Sequence, residues 1–579
     1  MSCSLDALPP ELFRYILAHL SPEAASALAQ TCRRLNVIVR DDKIWQQYFL
    51  KRYTYSVRSI TYSNENYLLF AAQKSPELPD GYTWQKYFIQ RSLQDKHIRV
   101  LLNEIMSTRK NRIHNANLIS STYGLLGFDV FKHYFPPSMD ASKSIPLDSR
   151  NLTREYYSLE IARLISRQTG LALLQDMKTQ EDISTEGKAL LNALSIIQCF
   201  HPHGILLQLA RLHTIGKQLL DDPIFLTLTL HEKCQLILTT MKNEHFLPAD
   251  GTTEYYDINN SFIFSSFHGK PTIPLTLVSI FCALAEECNL IARPLGFPGE
   301  VMAQVHESST SNDTSLPLII SVFENKIMTL DEINQRLGDF LDEPLQHPLP
   351  ITSITILISR SARNMINSIT QYPTSSLNSY GLYGAVCVLK ILGAGALPFT
   401  FDSMMHVLKE HFPMDIHLFD ILSSPFSSNP DERQQIQDQD ANPSVIEEKR
   451  REDSLPKYFI GQIFQHIQYN YWGVICGWDL TCMASPVWQI RMGISSLTRG
   501  ASQPFYHILA DDSSRRYVAE DNIDTLAFTS IENEENKCAI LRRLCIADSI
   551  GKQFERLDMS NARFIPNNEL RAEYPGDFV

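Results

Sequence analysis

Apolar residues recur with helical spacing over the first fifty positions. Leu12, Phe13, Ile16, Leu17 and Leu20 fall at i, i+1, i+4, i+5 and i+8, a single apolar stripe. The preceding Leu8-Pro9-Pro10 can open that helix, because its first turn requires no amide donor. Ser21-Pro22-Glu23 then restarts a helix, with serine as cap and proline at the first helical position. Leu28, Cys32, Leu35, Val39 and Trp45 carry the pattern on, so a three-helix unit is predicted over residues 4–52. From about residue 58 to 422 the pattern stays mostly helical, with long apolar-periodic stretches at 187–200 and 205–220. The most apolar window, 273–285, stops at Glu286-Glu287; it is too short for a bilayer and predicts a buried helix.

The pattern changes at residue 427. Residues 427–454 are rich in Ser, Asn, Gln and charge and end in Glu447-Glu448-Lys449-Arg450-Arg451-Glu452-Asp453, which predicts an acidic flexible linker. Short strand-like runs follow at 458–466, 473–478, 505–510 and 516–519, separated by turn residues as in a small barrel. Residues 526–579 predict an ordered tail packed on the barrel or the middle region, with a helix near 538–545. The expected fold class is multidomain α+β: a three-helix N-terminal unit, a mostly helical middle and a small C-terminal β-barrel over 456–525.

A chain of 579 residues exceeds one hydrophobic core, and two to four domains are expected. Its net charge of -12 gives no overall attraction to DNA or anionic membrane. The first residues show no secretory signal, and eleven scattered cysteines without a CxxC pair predict reduced thiols in cytoplasm or nucleus and no structural zinc.

Leu8, Pro9, Leu12, Ile16, Leu20, Leu28, Cys32-Arg33, Leu35 and Trp45 together resemble an F-box. The resemblance implies docking on the Skp adaptor of a cullin-RING (SCF) ubiquitin ligase. Leu8, Pro9, Leu12, Ile16, Leu20, Leu28, Leu35 and Trp45 are the expected adaptor-binding residues.

In the middle, Tyr255-Tyr256-Asp257-Ile258-Asn259-Asn260-Ser261 precedes Thr272-Ile273-Pro274-Leu275-Thr276-Leu277; Gly296-Phe297-Pro298-Gly299-Glu300 and Ile320-Ser321-Val322-Phe323 come later. This order resembles the SirB-type transglutaminase-like domain. Thiol-based transfer requires an activated cysteine, a histidine base and an orienting carboxylate. The helix start at Ile273 has no cysteine, Glu300 stands where the family has histidine, and Ser321 stands where it has aspartate. No catalytic residue, cofactor or metal is therefore expected. Cys282 lies in an apolar helix interior, His306 has no evident thiol partner, and His201-Pro202-His203 reads as a turn at a helix terminus.

Ile460-Gly461-Gln462, Tyr471-Trp472-Gly473-Val474-Ile475, Gly477-Trp478-Asp479, Gln503-Pro504-Phe505-Tyr506-His507 and Tyr517-Val518-Ala519-Glu520-Asp521-Asn522 resemble the YccV-like, hemimethylated-DNA-binding domain. DNA affinity depends on neutralising phosphates, yet residues 456–525 hold five basic and six acidic side chains. A protein target is therefore favoured over DNA, with Trp472, Trp478, Trp488, Arg499, Tyr506 and Arg515 as candidate contacts and the insert at 481–503 as a recognition loop. The three resemblances in this order predict a non-catalytic substrate receptor of an SCF-type ubiquitin ligase. A DNA- or chromatin-associated protein is the alternative.

Overall fold

The structure, a computed structural model, describes residues 9–55, 78–135, 146–181, 183–204, 210–249, 255–307, 317–340, 343–346, 349–373, 377–393, 401–418, 430–451, 456–546 and 549–577. They cluster into two compact units. One is drawn from Met1–Tyr87, Gly124–Leu126 and Arg163–Ser428, the other from Phe88–Tyr123, Gly127–Ala162 and Asn429–Val579. This departs from the contiguous middle region expected over 58–422, since two stretches before residue 163 cluster with the C-terminal part.

The first unit opens with four helices where three were expected: α1 (Pro10–His19), α2 (Pro22–Ala29), α3 (Arg33–Val39) and α4 (Asp42–Arg52). Ser21 caps α2 as its sequence predicts, accepting a bond from the Ala24 amide at 3.1 Å. The chain breaks again at Arg40-Asp41, because the Asp41 carboxylate accepts from the Lys43 amide at 3.1 Å and starts α4. Phe13, Leu17, Ala25, Leu35, Val39, Trp45 and Phe49 form the interior. The Phe49 ring stacks on Tyr87 at 4.7 Å, so the following helical segment supplies the apolar cover that four short helices lack alone.

Further on, β1 (Leu290–Gly296), β2 (Val301–Glu307), β3 (Leu318–Ser321) and β4 (Lys326–Met328) form an antiparallel meander in chain order. The helix Pro274–Glu287 packs on β1 and β2 and is buried from Pro274 to Ala285, as the apolar window predicts. Leu295, Met302, Ile319 and Ile333 form one core of this part. Arg167 and Asp415 make a buried two-pronged ion pair at 2.6 and 2.7 Å, so neither charge lacks a partner in the interior. Among the described residues no helix is long and apolar enough to cross a membrane.

In the second unit, β5 (Ile463–His466), β6 (Trp472–Asp479), β7 (Phe505–Ala510), β8 (Arg515–Ala519) and β9 (Ile523–Asp524) build one antiparallel sheet in the order β8-β7-β6-β5-β9. A two-stranded sheet, β10 (Phe554–Asp558) with β11 (Arg563–Pro566), follows. Phe464, Val474, Trp478 and Tyr506 share a core with Leu541, Leu544, Phe554, Phe564, Leu570 and Tyr574. The tail thus supplies part of the barrel's interior. Gly461 marks the closure: its φ is +84°, and a Cβ there would lie 2.0 Å from the Phe564 carbonyl oxygen. The Phe564 amide in turn donates to the Gly461 carbonyl at 2.8 Å.

The segment expected as a flexible linker is ordered where it is described. Residues Pro430–Ala441 are helical. Asp440 accepts bonds from the amides of Ile113 and His114, each at 2.9 Å, and so caps the helix Arg112–Tyr123. Arg451 pairs with the buried Asp577 at 2.7 Å and donates to the Tyr458 carbonyl at 2.6 Å. A polar composition supplied few groups to bury, but its charges find fixed partners, and order follows from those.

Candidate functional site

The F-box-like helices divide their apolar residues between two faces. Phe13 and Leu17 point inward. Leu12 is 51 % exposed, Tyr15 69 % and Val37 72 %, while Ile16, Leu20 and Leu28 are half-buried and Pro9 is exposed. Leu8 lies outside the described residues. Two expected adaptor contacts are corrected. Leu35 and Trp45 are 3 % and 2 % exposed, and the Trp45 Nε1–H donates to the Val39 carbonyl at 2.7 Å. A large ring with one polar group is well suited to join two helices, and that is its role here. Tyr15 and Val37 were missed; Tyr15 was legible as the i+3 neighbour of Leu12.

In the transglutaminase-like part, Glu300 and Ser321 come together. Ser321 on β3 donates to Glu300 Oε1 at 2.6 Å, so the two residues singled out in the sequence are in contact. Arg336 lies 3.2 Å from Glu300 Oε2 and also pairs with Glu324. Burial raises the Glu300 carboxyl above its ordinary range, against the opposing pull of the Ser321 bond and Arg336. Thr276, in the first turn of the helix at Pro274, is fully buried, and its hydroxyl has no hydrogen-bond partner among the described residues. The thiols nearby are poorly suited as nucleophiles. Burial pushes Cys288 up to about 12 and Cys282 higher still. His306 is pulled down by burial and by the Arg293 charge. The arrangement holds a carboxylate between a hydroxyl and a guanidinium, which can accept hydrogen bonds but supplies no activated thiol. Among the described residues no three His, Cys, Asp or Glu side chains gather as metal ligands.

In the C-terminal unit two candidate contacts are corrected. Trp478 is 2 % exposed and packs edge-on against Tyr574 at 5.3 Å. Tyr506 is fully buried, donates to Glu520 Oε2 at 2.6 Å and accepts from the Tyr458 amide at 3.0 Å. Both belong to the core shared with the tail, where aromatic area stabilises the interior. Trp472 is half-buried against Phe528, and Trp488 half-buried against Tyr517. Arg499 is exposed, but its guanidinium is held by Glu520 at 3.0 Å and Asp521 at 2.8 Å. Arg515 is exposed and makes no ion pair among the described residues. The insert forms a short helix, Pro486–Arg491, that leaves Met483 73 %, Val487 76 %, Ile490 81 % and Met492 50 % exposed. Ile490 and Met492 went unnoticed in the sequence, since a six-residue helix shows too little periodicity to read.

These features define a protein of three modules in series. The family model described as F-box-like matches residues 5–51, that of the transglutaminase-like superfamily 208–353, and that described as hemimethylated DNA-binding protein YccV like 456–561. The chain thus matches an F-box-like, a transglutaminase-like and a YccV-like model in that order along its length. Among curated proteins it is similar to F-box only protein 21 of Homo sapiens, 22 % identical over all of this chain and 92 % of that protein. The Pongo abelii protein of the same name is also 22 % identical, over all of this chain and 92 % of its own. The Mus musculus protein is 24 % identical over 56 % of this chain and 52 % of that protein. No solved structure matches the chain.

Proposed function

We propose that this chain is the substrate-recognition subunit of an SCF-type ubiquitin ligase. It acts in the cytoplasm, the nucleus or both. The observation that carries the reading is the F-box-like module, which buries Phe13, Leu17 and Phe49 while Leu12, Tyr15 and Val37 remain exposed. Exposed apolar and aromatic side chains on short rigid helices suit docking on the Skp adaptor, which in turn binds the cullin. The insert side chains Met483, Val487, Ile490 and the edge of Trp488 are suited to a protein target. Such a receptor makes and breaks no bond. It raises the effective concentration of target lysines at the ubiquitin-charged enzyme, so rate follows from tethering.

The test is adaptor and cullin capture from cells by the full chain. Leu12→Asp/Tyr15→Asp alters the accessible face and is expected to abolish capture with melting temperature unchanged. Retained capture by that folded variant would overturn the reading. The alternative, DNA binding, is favoured by the description of the YccV-like family alone. It is opposed by the barrel's near-neutral charge and by the internal pairing of Arg499 and Arg516. DNA binding requires a steep loss of duplex affinity with salt; a flat or absent response removes it.

A further inference from the structure

The insert at 481–503 holds apolar side chains away from the protein on a fixed base. The Cys482 amide donates to the Ala501 carbonyl at 3.0 Å, and the Met483 amide to the Tyr517 hydroxyl at 3.1 Å. The Ser485 hydroxyl accepts from the Trp488 amide at 3.3 Å and so caps the helix Pro486–Arg491. The inner side of the insert packs on the sheet: Trp488 lies against Tyr517, and Ile494 is buried with Phe505 and Ala519. On the helix, Val487, Ile490 and Arg491 fall at i, i+3 and i+4, which places them on one face. Large apolar side chains displayed on an anchored element leave an area that a partner can cover.

Charge on this surface has one sign. Residues 481–503 contain two arginines and no acid. The acids at the base of the insert are committed: Glu520 and Asp521 hold Arg499, and Asp479 is shared by Lys449, His507 and Tyr517. Arg491 is exposed, and its guanidinium has no ion pair or hydrogen bond among the described residues. On a chain of net charge -12, the face of Val487, Ile490 and Arg491 is therefore apolar and locally positive. Two copies of this face would bring like charges together with no acid of the insert between them. A single free cation also falls short of the several phosphate contacts that DNA binding requires.

Resting on the receptor reading above, we propose that this face binds a segment of a protein target in which apolar residues stand beside Asp or Glu. Val487 and Ile490 cover the apolar residues, and Arg491 meets a carboxylate, which a guanidinium can hold with two parallel bonds. Affinity comes mainly from the apolar area removed from water, and the ion pair sets preference and orientation. Met483 and Met492, at either end of the helix and also exposed, are pliable enough to fit segments of differing shape.

The experiment selects binders of the full chain from a displayed library of random peptides and measures the enriched peptides by fluorescence polarisation. Enrichment of peptides with Asp or Glu beside apolar residues is expected. Val487→Asp/Ile490→Asp changes only exposed side chains and should weaken the strongest peptide at least about tenfold, with melting temperature unchanged. Arg491→Ala should weaken it about two- to fivefold, the range of an exposed ion pair. Arg491→Glu should reverse the preference, so that the same peptide with lysine in place of its acids binds this variant more tightly than the native chain. No enriched peptide, enriched peptides without acids, or unchanged affinity in the double variant would overturn the proposal. Dimers of the native chain that the double variant does not form would overturn it in favour of a second copy. Sedimentation with phosphatidylserine vesicles, lost in that variant, would overturn it in favour of a membrane surface. Adaptor capture measured on the same preparations is a separate readout. Failed peptide binding with intact capture leaves the receptor reading standing, whereas absent capture by the native chain removes that reading.

Discussion

His201 shows how far a residue's surroundings set its chemistry. Its ring lies 4.7 Å from both Phe262 and Phe264, and its Nδ1 accepts from the His203 amide at 3.1 Å. Burial first, then the charges of His203, Arg163 and His268, hold its pKa well below the ordinary histidine value. An unfolded histidine takes a proton near pH 6.5. Below about that pH the unfolded chain binds a proton that the folded chain refuses, so acidification lowers stability through this group. Thermal melts at pH 7 and pH 5 check this: His201→Gln is expected to lose less stability between the two than the native chain, and an equal loss would exclude His201 as a source. The same scale separates the aromatic candidates. Tryptophan at 472, 478 and 488 reads alike in sequence, yet only Trp478 is fully inside, because its strand register turns it toward Tyr574.

At the scale of elements, the turn at Gly461 decides whether barrel and tail close on each other. A side chain there meets both a left-handed backbone and the Phe564 carbonyl. Gly461→Ala is expected to destabilise the protein by at least about 2 kcal/mol, read as a lowered urea midpoint with intrinsic tryptophan fluorescence. The helix start at Ser21-Pro22 and the strands β6, β7 and β8 were legible, since capping chemistry and short strand-like runs bounded by turn residues are local signals. The helix Pro430–Ala441 was not. Its stripe of polar residues carries no burial signal, and its Asp440 works only because Ile113 and His114 are brought beside it.

For the whole molecule, the division into two units separates the F-box-like helices from the completed barrel. Deleting residues 526–579 removes Phe554, Phe564, Leu570 and Tyr574 from the core of the second unit. Limited proteolysis should then cut rapidly within 456–525, while adaptor capture by the F-box-like module persists. Protection equal to that of the full chain would show the tail to be dispensable. Module order, helical content and strand positions followed from the sequence alone, because periodicity, caps and motif residues act over a few neighbours. Tertiary structure decided which members of each motif face solvent: Leu12 and Tyr15 outside, Leu35 and Trp45 inside. It also decided that the tail completes the barrel and that Arg515 alone of a neighbouring pair lacks an acid. Burial and charge pairing are set by residues far apart in the chain, and no local pattern encodes which of them will meet.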